Sequence, residues 1–212
     1  MSGVGMAWFI LANNFYINSN LRMKSIYLIC ICVFGLMTIS CLSERSGTHS
    51  LNEQIPIIDY ESKFSDLGIT LPLMNTPTAN YVHTVRAGNF IYTSGKGSIY
   101  PDGRLYTGKV GADLSIVQGQ EAAKLAGIRL LGALKSELGD LNRVKRIVKV
   151  LGMVNASPEF VDHSSVINGF SDLMVEVFGD IGKHARSAVG VGSLPKNLAV
   201  EIEMIVEVYP DY

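Results

Sequence analysis

From Val200 to Val208 the chain sets Val200, Ile202, Met204, Val206 and Val208 on one face of an extended strand, with Glu201, Glu203, Ile205 and Glu207 on the other. Side chains of a strand alternate with a period of two, so the apolar set has to be covered as a unit. A domain ending this way needs a layer packed on one side of a sheet, while the other side carries carboxylates. The segment Val144 to Asn155 repeats the problem, with Lys145 and Lys149 sharing a face with Ile147, Leu151 and Met153. That second face either lies in water or is buried against other copies of the chain, where its charges pair; the apolar groups among the charges favour burial.

The covering layer is helical. Ser115 followed by Gln118 forms a capping box, and Ala123, Gly127, Leu130, Leu134 and Leu138 fall on one face of a helix that Gly139 stops. Gly119, Ala122, Ala126 and Gly127 would let this helix lie close on a sheet. Ser157-Pro158 reads as the opening of a second helix, with Val166, Phe170, Leu173 and Val177 at helical spacing, ending at Gly179. Tyr81 to Ala87 and Phe90 to Ser94 are strands joined by the turn pair Gly88-Asn89. Pro101-Asp102-Gly103 makes a second turn before a short strand near Arg104 to Tyr106. Ala185 to Val191 and Ala199 to Val208 are the last strands, separated by a loop with Leu194-Pro195. Strands, helix, strand, helix, strands give an α/β or α+β sandwich, a mixed sheet with two helices on one face.

The N-terminal part reads differently. Lys24 precedes an uncharged run from Ile26 to Met37, and Thr38-Ile39-Ser40 leads to Cys41. A basic start, an apolar core of roughly 7 to 15 residues and a small residue before the cleavage point mark a signal peptide. The ending resembles a bacterial lipobox, with Cys41 as the lipidated mature N-terminus of an exported, membrane-anchored lipoprotein on the periplasmic side. An uncleaved anchor or a fortuitous apolar stretch are the alternatives. Residues 1–22 fit no simple signal and suggest that translation starts at Met23. Residues 1–41 are therefore the signal and lipobox, residues 42–59 a polar tether, and residues 60–212 the domain. Cys30, Cys32 and Cys41 are the only cysteines, so the domain has no thiol nucleophile and no disulfide framework.

Without Arg22 and Lys24 the 18 basic residues become 16 against 19 acidic ones, a balance of −3. That and the lack of a basic cluster argue against nucleic acid as a partner. His49 lies in the tether, His83 has no ligand set, and His184 reads as an incidental linker residue, so no metal or other cofactor is expected. Phosphate-loop and nucleophile-elbow patterns are missing. Arg186 stands out: His184, Ala188 and Gly190 share its side of the pleat, and the last two leave room beside a guanidinium, the group that fits a carboxylate with two parallel hydrogen bonds. The plainer role for Arg186 is to neutralise a glutamate on the neighbouring strand.

Tyr92-Thr93-Ser94-Gly95, the helix from Ser115, Ala185-Arg186-Ser187-Ala188-Val189, Leu194-Pro195-Lys196 and Val200-Glu201-Ile202-Glu203 together resemble the RidA (YjgF, L-PSP endoribonuclease) family, over about Pro77 to Val208. The run from Gly182 to Val191 is most similar to a divergent branch of it. The resemblance implies a chorismate-mutase-like fold assembled as a homotrimer with pockets at the subunit interfaces. It also implies hydrolysis of reactive imines such as 2-iminopropanoate and 2-iminobutanoate to 2-oxo acids and ammonia. By the same resemblance Arg186 grips the substrate carboxylate and Glu201 holds or activates water. Tyr81, Gly95 and Asn168 line the pocket, and Ala188, where a cysteine is usual, offers its backbone N–H. Asn80 and Lys96-Gly97 depart from the family pattern. Export leaves a second reading open, a non-catalytic trimer that binds a small carboxylate or scaffolds a membrane partner. A ribonuclease ranks behind both, because the domain lacks basic character.

Overall fold

The computed structural model describes residues 57–210; the signal segment, Cys41 and most of the tether lie outside the described residues. In chain order the elements are helix α1 (Tyr60–Asp66), strands β1 (Thr84–Ala87), β2 (Phe90–Thr93) and β3 (Lys96–Gly97), helix α2 (Ile116–Leu138), strand β4 (Val144–Asn155), helix α3 (His163–Phe178), and strands β5 (Ala185–Val191) and β6 (Val200–Val208). The sheet runs β1-β2-β6-β4-β5, and β3 also pairs with β6. β4 and β5 are parallel and joined through α3, while the other pairs are antiparallel. The result is a mixed α+β sheet, with three α-helices among the described residues where the sequence pattern suggested two.

The terminal alternation is realised as read. Val200, Ile202, Met204, Val206 and Val208 are all buried at the centre of the sheet, and the intervening residues are not. On β4 the alternation breaks: register shifts between Val144 and Arg146 and between Ile147 and Lys149 turn Ile147 onto the core side. Ile147 therefore does not share the outer face with Lys149, Leu151 and Met153, as strict alternation predicts. An extra residue in one strand of an antiparallel pair re-aims all that follows it.

Both bonds of the capping box at α2 form, Ser115 Oγ accepting from Gln118 N and Gln118 Oε1 accepting from Ser115 N. The small residues of α2 admit another helix more than the sheet. A Cβ on Gly127 would come within 2.9 Å of Leu173 and Phe170 on α3, and one on Gly169 of α3 would run into the Gln120 backbone of α2. The second helix begins at His163, not at Ser157-Pro158. Ser157 N donates to Val110 O at 3.0 Å and Phe160 N to Ser157 O at 3.1 Å, so this stretch continues a backbone ladder and then turns. Near Arg104 to Tyr106 no continuous strand forms but isolated bridges, Ile99–Leu105 and Thr107–Leu198, with Tyr106 bonded through its backbone to Ser98 and Ala199.

α1 was not legible in the sequence pattern. Asp59 caps it by accepting from Ser62 N, and Tyr60 and Phe64 are buried, with the Tyr60 ring edge-on to Phe178 at 5.5 Å. The chain just ahead is clamped: Asn142 Oδ1 accepts from Ile58 N at 2.7 Å and Asn142 Nδ2 donates to Ile58 O at 2.9 Å. The amide thus copies a strand pairing, and fixed contacts begin within the stretch read as tether.

The sheet face away from the helices carries Tyr92 of β2, Lys149, Leu151 and Met153 of β4, Ser187 and Val189 of β5, and Glu201, Glu203 and Ile205 of β6. Tyr92 is 46% and Val189 41% exposed in the single chain. A shallow depression of about 260 Å³ between Tyr92, Leu151, Ser187 and Ile205 sits in this face.

Candidate functional site

Among the described residues β5 is an edge strand whose only neighbour is β4. Arg186 pairs in register with Val150 and Ala188 with Gly152. Val150 is fully buried, so Arg186 lies on the helix side of the sheet. There Arg186 Nη1 donates to Asn168 Oδ1 at 2.9 Å and to Ser171 Oγ at 3.0 Å, both on α3. Neither partner is charged, and no carboxylate among the described residues forms an ion pair with it. The plainer reading, neutralisation by a glutamate on the neighbouring strand, is not what the geometry gives: β4 offers Val150 at that register. Asn168 and Ser171 lie three residues apart, one above the other on one helix face.

Ser171 continues the chain of contacts. Its Oγ lies 3.1 Å from His184 Nε2, and His184 Nδ1 lies 2.7 Å from the Gly182 carbonyl oxygen. A carbonyl can only accept, so Nδ1 carries the proton and Nε2 accepts from the Ser171 hydroxyl. Burial holds the His184 pKa below its ordinary value against the opposing hydrogen bond to Gly182, with a smaller push in the same direction from the Arg186 charge, which favours the neutral ring. The ring is edge-on to Phe170 at 5.7 Å. Ser171 was missed from the sequence, although its spacing from Asn168 was a usable signal, and His184, placed on the Arg186 side of the pleat, was read as incidental.

The small residues near Arg186 are used differently from the expectation. Ala188 packs against the core, and the space at Gly190 is taken by the His163 ring, which a Cβ there would meet. A cavity of about 390 Å³ opens beyond it, lined by Lys109, Ser157, Phe160, His163 and Gly190 among others. Lys109 Nζ donates to Asn155 Oδ1 at 2.9 Å, and Asn155 Nδ2 to Asn197 Oδ1 at 3.0 Å. This polar knot, invisible in the sequence, fixes the loop after β5.

Glu201 belongs to a second group. It pairs with Met153 and with Gly97, and points to the outer face. Gly95 lies against its carboxylate so closely that a Cβ would collide with Oε1. Ser94 Oγ donates to Val82 O at 2.5 Å and Ser94 N to His83 O at 2.9 Å, so Ser94 holds the strand-like segment that carries the half-exposed Tyr81. Lys96, next to Gly95, is only 3% exposed, with its Nζ 3.5 Å from Ser94 O. Burial first, and then the charge of Arg129, push the Lys96 amine down to about 8, against an opposing pull from Glu201.

Within one chain Arg186, Asn168 and Ala188 thus lie on the helix side of the sheet, while Glu201 and Gly95 meet on the other side. No group of three or more potential metal ligands occurs among the described residues. No helix among them is long and apolar enough to cross a membrane.

A mixed α+β sheet backed by α2 and α3, with Arg186 on its parallel edge strand, defines the class of the fold. The family described as "YjgF/chorismate mutase-like, putative endoribonuclease" matches residues 61–208, and the chain belongs to it. It is 32% identical over 143 residues to the 2-iminobutanoate/2-iminopropanoate deaminase of Escherichia coli strain K12, covering 64% of this chain and 94% of that protein. Protein TCP17 of Trypanosoma cruzi is 44% identical over 142 residues, 66% of this chain and 89% of that protein. Among solved structures, the protein Atu1372 of unknown function from Agrobacterium tumefaciens superposes with a TM-score of 0.66 at 42% identity, over 71% of this chain and 94% of the other.

Proposed function

We propose that the domain hydrolyses 2-imino acids to 2-oxo acids and ammonia, in pockets completed between the subunits of a homotrimer. The observation that carries this reading is the Arg186 guanidinium, held by Asn168 and Ser171 through Nη1 and left without a counter-charge. Its remaining N–H groups suit a carboxylate, and the Ala188 backbone N–H stands two residues along the strand. The segregation of Arg186 from Glu201 supports a shared pocket: copies related by a threefold axis would bring the Arg186 group of one to the Glu201, Gly95 and Tyr81 group of the next. The exposed Tyr92 and Val189 on the outer face support burial of that face in the same assembly.

The chemistry asks little of the protein. The carbon of a protonated imine is already electrophilic, so holding the carboxylate and one water in place removes most of the entropic barrier. Water adds to C2 and loses a proton to Glu201. Glu201 returns that proton to the nitrogen, the C–N bond breaks and ammonia leaves; Glu201 takes the hydroxyl proton as the carbonyl forms and passes it to the departing ammonia, which becomes ammonium. Each imine consumes one water and yields one 2-oxo acid and one ammonium ion. We place the enzyme on the periplasmic side of a membrane, anchored through Cys41; Cys41→Ser should release it to the soluble fraction, and unchanged fractionation removes the anchor.

The deciding experiment generates 2-iminopropanoate in solution and follows its hydrolysis. The wild type should accelerate it, and Arg186→Ala should lose about 100-fold or more in kcat/KM, as expected when two charge-assisted hydrogen bonds are lost. A correctly assembled wild type that gives no acceleration over buffer overturns the deaminase reading; if it still binds 2-oxobutanoate, a non-catalytic carboxylate-binding trimer is the reading that survives.

A further inference from the structure

We infer that His184 and Ser171 are positioning residues, which lock one edge of the Arg186 guanidinium so that the opposite edge is presented ready-made to a carboxylate. The inference rests on the reading of Arg186 as the carboxylate anchor and names the groups that make it one.

An arginine on an edge strand has a long side chain and loses rotamer entropy when a ligand immobilises it. Here part of that ordering is done in the free protein. Nη1 has two acceptors, Asn168 Oδ1 and Ser171 Oγ. A serine hydroxyl is free to rotate, and by itself Ser171 would offer Arg186 a lone pair only part of the time. His184 removes that freedom: its Nε2 accepts the Ser171 proton, which turns the oxygen lone pairs toward Nη1. The imidazole is oriented in turn by its Nδ1–H to the Gly182 carbonyl and by the edge of Phe170. The chain of donors therefore runs one way, from Arg186 to Ser171 to His184 to Gly182 O. Each member has one role, and the tautomer is fixed by the carbonyl at the end. Preorganisation of this kind raises affinity mainly by lowering the ordering cost of binding.

The claim makes an unusual demand on substitutions at His184. Glutamine can place an acceptor near the Nε2 position; asparagine reaches only the Nδ1 side; phenylalanine keeps the ring against Phe170 but accepts nothing. His184→Gln should therefore behave almost as the wild type, while His184→Asn, His184→Phe and Ser171→Ala should each weaken binding of 2-oxobutanoate roughly tenfold, the scale of one hydrogen bond to a charged group. The Ser171→Ala/His184→Phe double variant should be no worse than either single variant, because one relay is broken in all three.

Two readouts separate this inference from the function on which it rests. In the ligand-free, full chain labelled with nitrogen-15, Arg186 should show distinct Nη1 and Nη2 resonances, since the held edge slows rotation. They should merge in Ser171→Ala and His184→Phe and separate again in His184→Gln. Resonances that stay distinct in Ser171→Ala and His184→Phe overturn the relay, whatever the protein binds. If the resonances respond as expected but calorimetry detects no 2-oxobutanoate binding by the wild type, the relay stands and the carboxylate reading of Arg186 fails. Equal loss of 2-oxobutanoate affinity in His184→Gln and His184→Asn also overturns it, because a merely space-filling histidine would not distinguish them.

Discussion

Gly169→Ala is a sharp test of how the two long helices meet. In an exposed helix interior this substitution ordinarily stabilises by about 1 kcal/mol, because alanine is the better helix former. Here the new methyl group would overlap the Gln120 carbonyl oxygen, with Gln120 C at 2.7 Å and Cα at 2.8 Å. Those are backbone atoms of α2, and they can retreat only if the helices separate. Overpacking of a filled core costs about 1–3 kcal/mol and sometimes more, and an immovable neighbour puts this site at the upper end. The net effect should be a loss of about 2 kcal/mol. Gly127→Ala is the control: its methyl group meets only Leu173 and Phe170 side-chain carbons, at 2.9 Å, which can rotate aside. For Gly127→Ala the same two terms nearly cancel, leaving a loss below about 1 kcal/mol. Urea unfolding at one fixed protein concentration measures both, the fixed concentration being needed if subunits associate. The difference, about 1–2 kcal/mol, corresponds to roughly 2–8 °C in melting temperature for a domain of this size. If Gly169→Ala proves as stable as Gly127→Ala, the close backbone approach of α2 and α3 is not what the sequence encodes there.

Buried Lys96 sets a pH dependence. Its amine titrates at about 8 in the fold against an ordinary 10.5, so between those values the unfolded chain holds the extra proton and stability rises with pH. Urea midpoints should climb from pH 8 to 10 by an amount on the order of 2–3 kcal/mol and stay flat in Lys96→Met; a slope retained by Lys96→Met would sink the assignment. Asn142→Ala leaves Ile58 N and O without their side-chain partners and should cost about 1–3 kcal/mol, read as a lower unfolding midpoint and faster proteolysis ahead of α1; an unchanged midpoint means that the clamp is idle. Leu151→Glu puts a carboxylate in the outer-face depression and should turn a trimer into monomers by sedimentation equilibrium while circular dichroism stays the same; an intact trimer would show that this face is not the interface.

Much of the architecture was legible because its determinants are local. The capping box at Ser115 and the alternation from Val200 to Val208 each need only a few neighbouring residues, and both formed as read. The errors arose where distant partners decide. Pro158 looked like a first helical residue, but Ser157 N is already committed to Val110 O, far away in the chain. Ile147 was placed on the wrong face because a bulge depends on the partner strand and leaves no mark in the strand that carries it. The glycines of α2 were read as room for a sheet, when the helix opposite supplies the matching Gly169. For the site, Arg186 was visible through its residue type and small neighbours. The role of His184 was not, since a histidine between helix and strand acquires meaning only when Ser171 comes to face it.

The clamp at Asn142 decides where a pull on the chain would be felt. Tension arriving through residue 57 loads two amide hydrogen bonds and then the Tyr60–Phe178 ring contact. Asn142 stands just before β4, whose first residue is Val144, whereas Arg186 is abreast of Val150 and Glu201 abreast of Met153. At about 3.3 Å per residue the mooring point is roughly 20–30 Å along the strand from either group. Force entering ahead of α1 would therefore load the end of β4 remote from both groups and leave the spacing between them unstrained.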